Sequence, residues 1–356
     1  MIDITTKKPL IIAGPCSAET PEQTIETAVA LAASGKVDIF RAGIWKPRTK
    51  PGGFEGVGIP GLPWLVEVKK QTGLPTAIEV ANAKHVESAL AFGIDMFWIG
   101  ARTTSNPFSV QEIAESLRGV DIPVLVKNPM NADVELWNGA VERLAKCGVK
   151  QLGLIHRGFS GYGASQYRNT PMWHLALEIK KRLPELPIFC DPSHICGNRD
   201  YLLEVSQQAA DLNFNGIMIE SHITPQSAWS DAKQQVTPAA LVELLDALIW
   251  RAEGSDSIAY QNSLDQLRGV IDRLDNEIFD LLARRMEAAE GIGRIKRENN
   301  VIILQSNRWN QVVERILARS TELGLSENFL AAVLEAIHIE SIERQKLIMM
   351  NEAEKR

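Results

Sequence analysis

Short apolar runs rich in β-branched residues alternate with helical stretches over the first two thirds of the chain. The expected strands are Leu10–Ala13, Ile39–Ala42, Thr76–Val80, Met96–Gly100, Val124–Lys127, Leu152–His156, Ile188–Asp191 and Ile217–Glu220. Eight strands separated by helices predict an α/β chain with a (β/α)8 barrel. Pro9, Pro75, Pro123 and Pro187 stand just ahead of four of these runs, where proline suits strand entry and not a helix interior. The last barrel helix is expected over 238–251. From 252 to 262 the periodicity lapses, which predicts a linker. Residues 263–356 then read as an all-helical module of three helices. Leu264, Leu267, Ile271, Leu274, Ile278 and Leu281 step by three and four along the first of them. A second helix is expected over 307–322, with Ser306 as its cap and Gly324 as its stop, and a third over 327–350.

The eight strand ends predict where chemistry lies, because a barrel of this kind carries its active site at the carboxyl ends of its strands. In order these ends offer Cys16, Arg41 with Lys46, Glu79, Arg102, Lys127, Arg157, His194 and Glu220. One charge at a strand exit is ordinary; eight ionisable or metal-binding exits in succession are not. Cys16, His194 and Glu220, with Asp231 in the last loop, make a thiolate, imidazole and carboxylate set suited to a divalent Mn, Fe, Co or Zn ion. Cys16 alone reads equally well as a small buried thiol. Arg41, Lys46, Arg48, Arg102, Lys127 and Arg157 supply more positive charge than one phosphate needs.

The first helix of the module carries its own signal. Its apolar seam runs past Leu281 onto Arg285 and then Ala288, Ile292 and Ile295, and a charge inside a seam requires an anion. Lys296, eleven residues on, faces the same way. Arg268 lies roughly 25 Å from Arg285 along a continuous helix and about 100° round it, so both can hold one small ligand only if Arg268 comes from a second chain. In the third helix the stripe Leu330, Val333, Ile337 continues into Ser341 and Gln345, which predicts a buried polar site. The competing reading is a dimerisation module whose basic groups merely reach to solvent.

The segments GPCS (14–17), RAGIWKPRT (41–49), GARTT (100–104), CDPSH (190–194) and IESH (219–222) resemble 3-deoxy-D-arabino-heptulosonate 7-phosphate (DAHP) synthase of the short I-beta subgroup, over about residues 9 to 250. The resemblance implies condensation of phosphoenolpyruvate with erythrose 4-phosphate. It implies Cys16, His194, Glu220 and Asp231 as metal ligands, and Arg41, Lys46, Arg102, Lys127 and Arg157 as phosphoenolpyruvate contacts. Lys46, Pro47, Arg48 and Thr49 would hold the aldose. The sister enzyme for the eight-carbon product carries a Lys-Ala-Asn-Arg-Ser segment there, so KPRT favours the four-carbon sugar. Lys127-Asn128-Pro129 and the loop 158–163 depart from the usual family wording. From about Leu264 to Met350 the chain resembles the all-helical chorismate mutases, which are intertwined dimers, with Arg268, Arg285, Lys296, Arg308, Ser341 and Gln345 at active-site positions. Gln305 and Trp309 stand where acids are common. The implied reaction takes chorismate to prephenate without a metal.

Composition changes this picture little. The formal charge of -6 argues against a nucleic-acid or membrane-surface binder, so anionic ligands need local basic sites. No apolar run is long enough to span a membrane, and four cysteines without a disulfide pattern suit the cytoplasm. The regulatory expectation is feedback on the barrel by prephenate or chorismate through the helical module. The alternative is an active synthase whose module only senses or dimerises.

Overall fold

A computed structural model describes residues 3–46, 52–161 and 165–350, apart from the Ser306 side chain. The chain forms two compact units, Met1–Glu253 and Gly254–Arg356. In the first, eight parallel strands close into a barrel in sequence order. They are β1 (Leu10–Gly14), β2 (Ile39–Arg41), β3 (Thr76–Val80), β4 (Met96–Ile99), β5 (Val124–Lys127), β6 (Leu152–His156), β7 (Ile188–Cys190) and β8 (Gly216–Glu220). Each expected strand is present, with ends within one residue. The barrel closes where Leu10–Gly14 of β1 pairs with Gly216–Glu220 of β8. That pairing needs glycine at 216, because a Cβ there would stand 1.9 Å from the Leu10 carbonyl oxygen.

Strand alternation explains both layers of core. Leu10, Ile12, Ile39, Ala77, Met96, Trp98, Leu125, Ile155, Phe189 and Met218 fill the barrel interior together with Ile4. Their neighbours, among them Ile11, Phe40, Ile78, Phe97, Val126, Leu154 and Ile217, belong to a second cluster that extends into the surrounding helices. One step beyond the apolar interior, the same period places Arg41, Glu79, Lys127, Arg157, Asp191 and Glu220 at the carboxyl rim. The last barrel helix ends at Ala247, short of the expected 251.

The second unit is helical. Its first helix, Ile258–Glu298, begins inside the segment expected to link the domains, with Ser257 accepting from the Tyr260 amide. An exposed first turn needs no apolar stripe, so periodicity did not reveal it. The second expected helix is divided into Ser306–Leu317 and Ser320–Leu323. Its cap position falls on Gln305 instead of Ser306, and it stops at Gly324 with φ +64°. The break follows Leu317, where the Arg319 amide bonds Ile316 in a tighter turn. The last helix spans Glu327–Met350 as expected. It packs on the first through Met286, Ala289 and Gly293, and a Cβ on Gly293 would press within 3.1 Å of Gln345 Cα. The predicted seam residues Leu267, Ile271, Leu274, Ile278 and Leu281 are all exposed in the single chain.

His156 illustrates a cost inside this fold. It is fully buried among Trp137, Phe159, Trp173 and Phe214. Burial pushes its pKa down to about 3, from near 6.5. Between those values the unfolded chain takes up a proton that the folded barrel refuses, so stability falls as pH falls through that window. Denaturant unfolding of the barrel should lose about 1.4 kcal/mol per pH unit below 6.5 from this group. His156→Phe should flatten the slope by that amount; an equally steep variant would exclude His156 as the source.

Candidate active sites

The barrel rim is a connected set of ionic side chains on a floor of Trp98. The Arg41 guanidinium lies 4.9 Å over the Trp98 ring, and the Lys127 ammonium 5.8 Å from it. Trp98 Nε1 donates to Glu79 Oε2 at 3.0 Å. This places Glu79 beneath Gly100, where any Cβ would come within 2.1 Å of Glu79 Oε1, so the glycine of GARTT is a steric requirement. Arg102 is exposed on the short helix Ala101–Thr104 and lies close enough to Arg157 to bias its ionisation. Arg157 is buried and donates to Asn169 Oδ1 at 2.9 Å; burial brings its pKa down to about 10.

Cys16, His194, Glu220 and Asp231 meet here in pairs. Cys16 Sγ is 3.3 Å from Asp231 Oδ2, and His194 Nε2 is 3.8 Å from Glu220 Oε1. Among the described residues, no three His, Cys, Asp or Glu side chains stand at metal-holding geometry. Lys46 Nζ donates to Cys16 Sγ at 2.8 Å. Gly43 makes room for that fold-back, since a Cβ there would be 3.0 Å from Lys46 Cε. Burial, reinforced by Glu220, pushes the Cys16 thiol up to about 12. Burial also works against ionised Glu220 and Asp231, but His194, Arg41 and Lys46 hold the first below its usual value, and Arg168 chiefly holds the second.

Two sets of buried atoms stand out. Glu220 Oε1 makes no hydrogen bond among the described residues, although Arg41 Nη2 is 3.4 Å away; Arg41 Nε and Nη1 likewise lack partners there. One acceptor and two donors of this ion pair are therefore buried without a hydrogen-bond partner among the described residues. Such groups cost free energy unless something satisfies them. The donor chemistry fits a divalent ion at Glu220, Asp231, His194 and Cys16, and an anion against Arg41.

Sequence reasoning passed over several residues that organise this rim. Asp191 caps the His194 turn, accepting from its backbone amide at 3.0 Å, contacts His194 Nδ1 at 2.8 Å, and accepts from Lys127 Nζ at 2.6 Å. Burial alone would raise its pKa, yet His194 and Lys127 hold it well below the usual range. Its signal was available in CDPSH, where Asp before Pro is a helix-cap pattern. Gln235 accepts from the Cys16 amide at 2.8 Å, and Gln234 donates to Glu220 Oε2 at 2.7 Å. Pro47, Arg48 and Thr49 lie outside the described residues.

The helical unit holds a separate pocket of ≈ 300 Å³ lined by Arg285, Lys296, Arg308, Ser341 and Gln345 together with Gln305, Trp309 and His338. Five of the six expected residues thus converge, and the lining contains no carboxylate. Arg285 donates to Ser341 Oγ, and Ser341 donates to the Ile337 carbonyl at 2.6 Å. Lys296 Nζ donates to the Ile303 carbonyl. Burial lowers the pKa of both Arg285 and Lys296. Trp309 stacks on His338 at 3.9 Å, a pairing that neither sequence position revealed. Arg268 is exposed, pairs with Asp265 at 3.6 Å and does not line the pocket.

With both sites in view, comparison with known proteins is decisive. The model of the DAHP synthetase I family matches residues 3–253. The chain belongs to that family. The chorismate mutase type II model matches residues 267–346. This DAHP synthase chain therefore carries both activities, DAHP synthase and chorismate mutase. A relative from Thermotoga maritima, phospho-2-dehydro-3-deoxyheptonate aldolase, is 34% identical over 238 residues, 67% of this chain and 68% of that protein. A 2-dehydro-3-deoxyphosphooctonate aldolase from Rhodopseudomonas palustris is 26% identical over 273 residues, 70% of this chain and 91% of the other. The crystal structure of the Thermotoga maritima DAHP synthase superposes with a TM-score of 0.60 at 31% identity, covering 68% of each chain. A truncated form of the Thermotoga maritima synthase gives 0.58 at 30%, covering 67% of this chain and 84% of that one.

Proposed function

We propose that the barrel condenses phosphoenolpyruvate with erythrose 4-phosphate in a metal-dependent reaction, and that the helical unit converts chorismate to prephenate. The observation that carries the first half is the buried, unpartnered set of Glu220 Oε1, Arg41 Nε and Arg41 Nη1. Cys16, His194, Glu220 and Asp231 would hold a divalent Mn, Fe, Co or Zn ion. When bound, that ion supplies Lewis acidity toward the aldehyde oxygen. Arg41, Lys127 and Arg157, with Arg102 at the edge, bind the carboxylate and phosphate of phosphoenolpyruvate through directed donors. Asp191 keeps Lys127 in place. Lys46 with Pro47, Arg48 and Thr49 holds the four-carbon aldose, and orientation of the two substrates can lower the barrier by about 7–11 kcal/mol when the reacting atoms are well aligned. A carbon–carbon bond forms between the enol carbon and the aldehyde carbon, water adds at the adjacent centre, and inorganic phosphate leaves. The four free cysteines suit a reducing cytoplasm.

In the helical unit Arg285, Arg308 and Arg268 clamp the chorismate dianion in its compact form. Lys296 and Gln345 donate to the ether oxygen as negative charge grows there, so catalysis is orientation with electrostatic preorganisation. The unit acts as a homodimer. Its exposed seam from Leu267 to Leu281 is the face a second copy covers, and Arg268 reaches the partner's pocket from that face. Prephenate or chorismate in the same pocket feeds back on the barrel, which requires unequal affinity for two arrangements of the protein.

Three outcomes follow. Chelation should abolish condensation but leave chorismate turnover intact, with a divalent metal restoring the first; condensation persisting in metal-free Cys16→Ala protein would remove the metal assignment. Mixing inactive Arg268→Ala and inactive Lys296→Ala chains under subunit exchange should recover mutase activity, and heterodimers without activity would argue for sites within one chain. Saturating prephenate should slow condensation by the full chain, as expected for a coupling of ~1–3 kcal/mol; an unchanged rate would leave the module without a feedback role.

A further inference from the structure

We infer that Arg168 and Gln234 form a directional relay that positions the two carboxylates of the barrel's metal site; this rests on the metal reading above. Arg168 Nη1 donates to Asp231 Oδ1 at 3.0 Å and to Gln234 Oε1 at 2.9 Å. Gln234 Nε2 donates onward to Glu220 Oε2 at 2.7 Å. A guanidinium can only donate, so it fixes which end of the Gln234 amide faces it. The NH2 group must then point at Glu220, whose ionised carboxylate can only accept. One arginine thereby sets the orientation of two acids contributed by different segments, Glu220 at the end of β8 and Asp231 in the loop beyond it.

The consequence lies in which oxygens remain. The relay occupies Asp231 Oδ1 and Glu220 Oε2, one oxygen of each acid. Asp231 Oδ2 is left beside Cys16 Sγ at 3.3 Å, and Glu220 Oε1 is left buried, 3.8 Å from His194 Nε2. Each acid thus keeps its second oxygen toward one other candidate ligand: Asp231 Oδ2 accepts from Cys16 Sγ, and Glu220 Oε1 lies near His194 Nε2 as well as Arg41 Nη2.

Independent features of the backbone support the relay. Asp231 has φ +48°, in the left-handed region, and the Gln234 amide closes a turn onto its carbonyl at 3.2 Å. Gly197, at φ +70°, lies against Arg168, and a Cβ there would be 2.5 Å from Arg168 Cβ. The Arg168 and Asn169 amides bond the carbonyls of Cys196 and Ile195, and Asn169 Nδ2 donates to the His194 carbonyl at 2.6 Å. The segment bearing Arg168 is therefore fastened to the turn that bears His194.

Arg168 and Gln234 are positioning residues, so the test reads the metal and not turnover. Metal-free full-length chain is titrated with Co(II), following the sulfur-to-cobalt absorption that reports ligation by Cys16. Arg168→Gln and Gln234→Leu should each weaken Co(II) affinity about 10–100-fold, the range for partners that orient metal ligands. The double variant should lose less than the product of the two, because both act along one path. Unchanged or tighter binding in either folded single variant, with wild type binding normally, overturns the relay and leaves the metal reading standing. A wild-type chain that does not bind Co(II) overturns both.

Discussion

The ion pair between Arg41 and Glu220 sets the terms for the rest of the barrel. Both side chains are almost fully excluded from water, and their closest approach is 3.4 Å without a hydrogen bond at Glu220 Oε1. A buried pair of this kind is favourable only when its remaining donors and acceptors are also satisfied. The surroundings supply part of that satisfaction: Trp98 lies under Arg41, Gln234 binds the far oxygen of Glu220, and Lys46 adds charge nearby. What is left over is an acceptor and two donors buried without partners among the described residues. The barrel below them is apolar, filled by Trp98, Leu125, Phe189 and Met218.

The same constraint explains which parts of the site were readable in the sequence. A strand's period of two is rigid, so once Ile39, Leu125 and Met218 are assigned to the interior, Arg41, Lys127 and Glu220 must follow at the rim. Arg168, Gln234, Gln235 and Asp231 belong to irregular segments with no such period. Asp231 was singled out for its chemistry in the last loop and not by any period, and the glutamines carry no charge to draw attention. Asp191 was hidden differently: within CDPSH it reads as a strand end, while its work is to hold Lys127 and His194 together. The boundaries of helices in the second unit were displaced for a related reason, since exposed turns such as that at Ser257 leave no apolar trace.

The helical unit obeys a different rule. Its pocket gathers Arg285, Lys296 and Arg308 without a carboxylate in the lining, so positive charge is concentrated where a dianion fits. Gln305 and Trp309 add no charge to that lining, and the Trp309–His338 stack gives the pocket a flat wall. Arg268 is held away by the straightness of one continuous helix, Ile258–Glu298. The chemistry of the unit and its exposed apolar seam are therefore two aspects of one geometry.

If unsatisfied buried charge is what the barrel mouth is built around, ligands that satisfy it must stabilise the barrel. The direct measurement is the barrel's thermal unfolding in metal-free full-length chain, recorded alone, with Mn(II), and with Mn(II) plus phosphoenolpyruvate. The account predicts a rise at each addition, with about 2.7 kcal/mol gained when a ligand is present at a hundred times its Kd. A transition that stays put at saturating concentrations of both would contradict it.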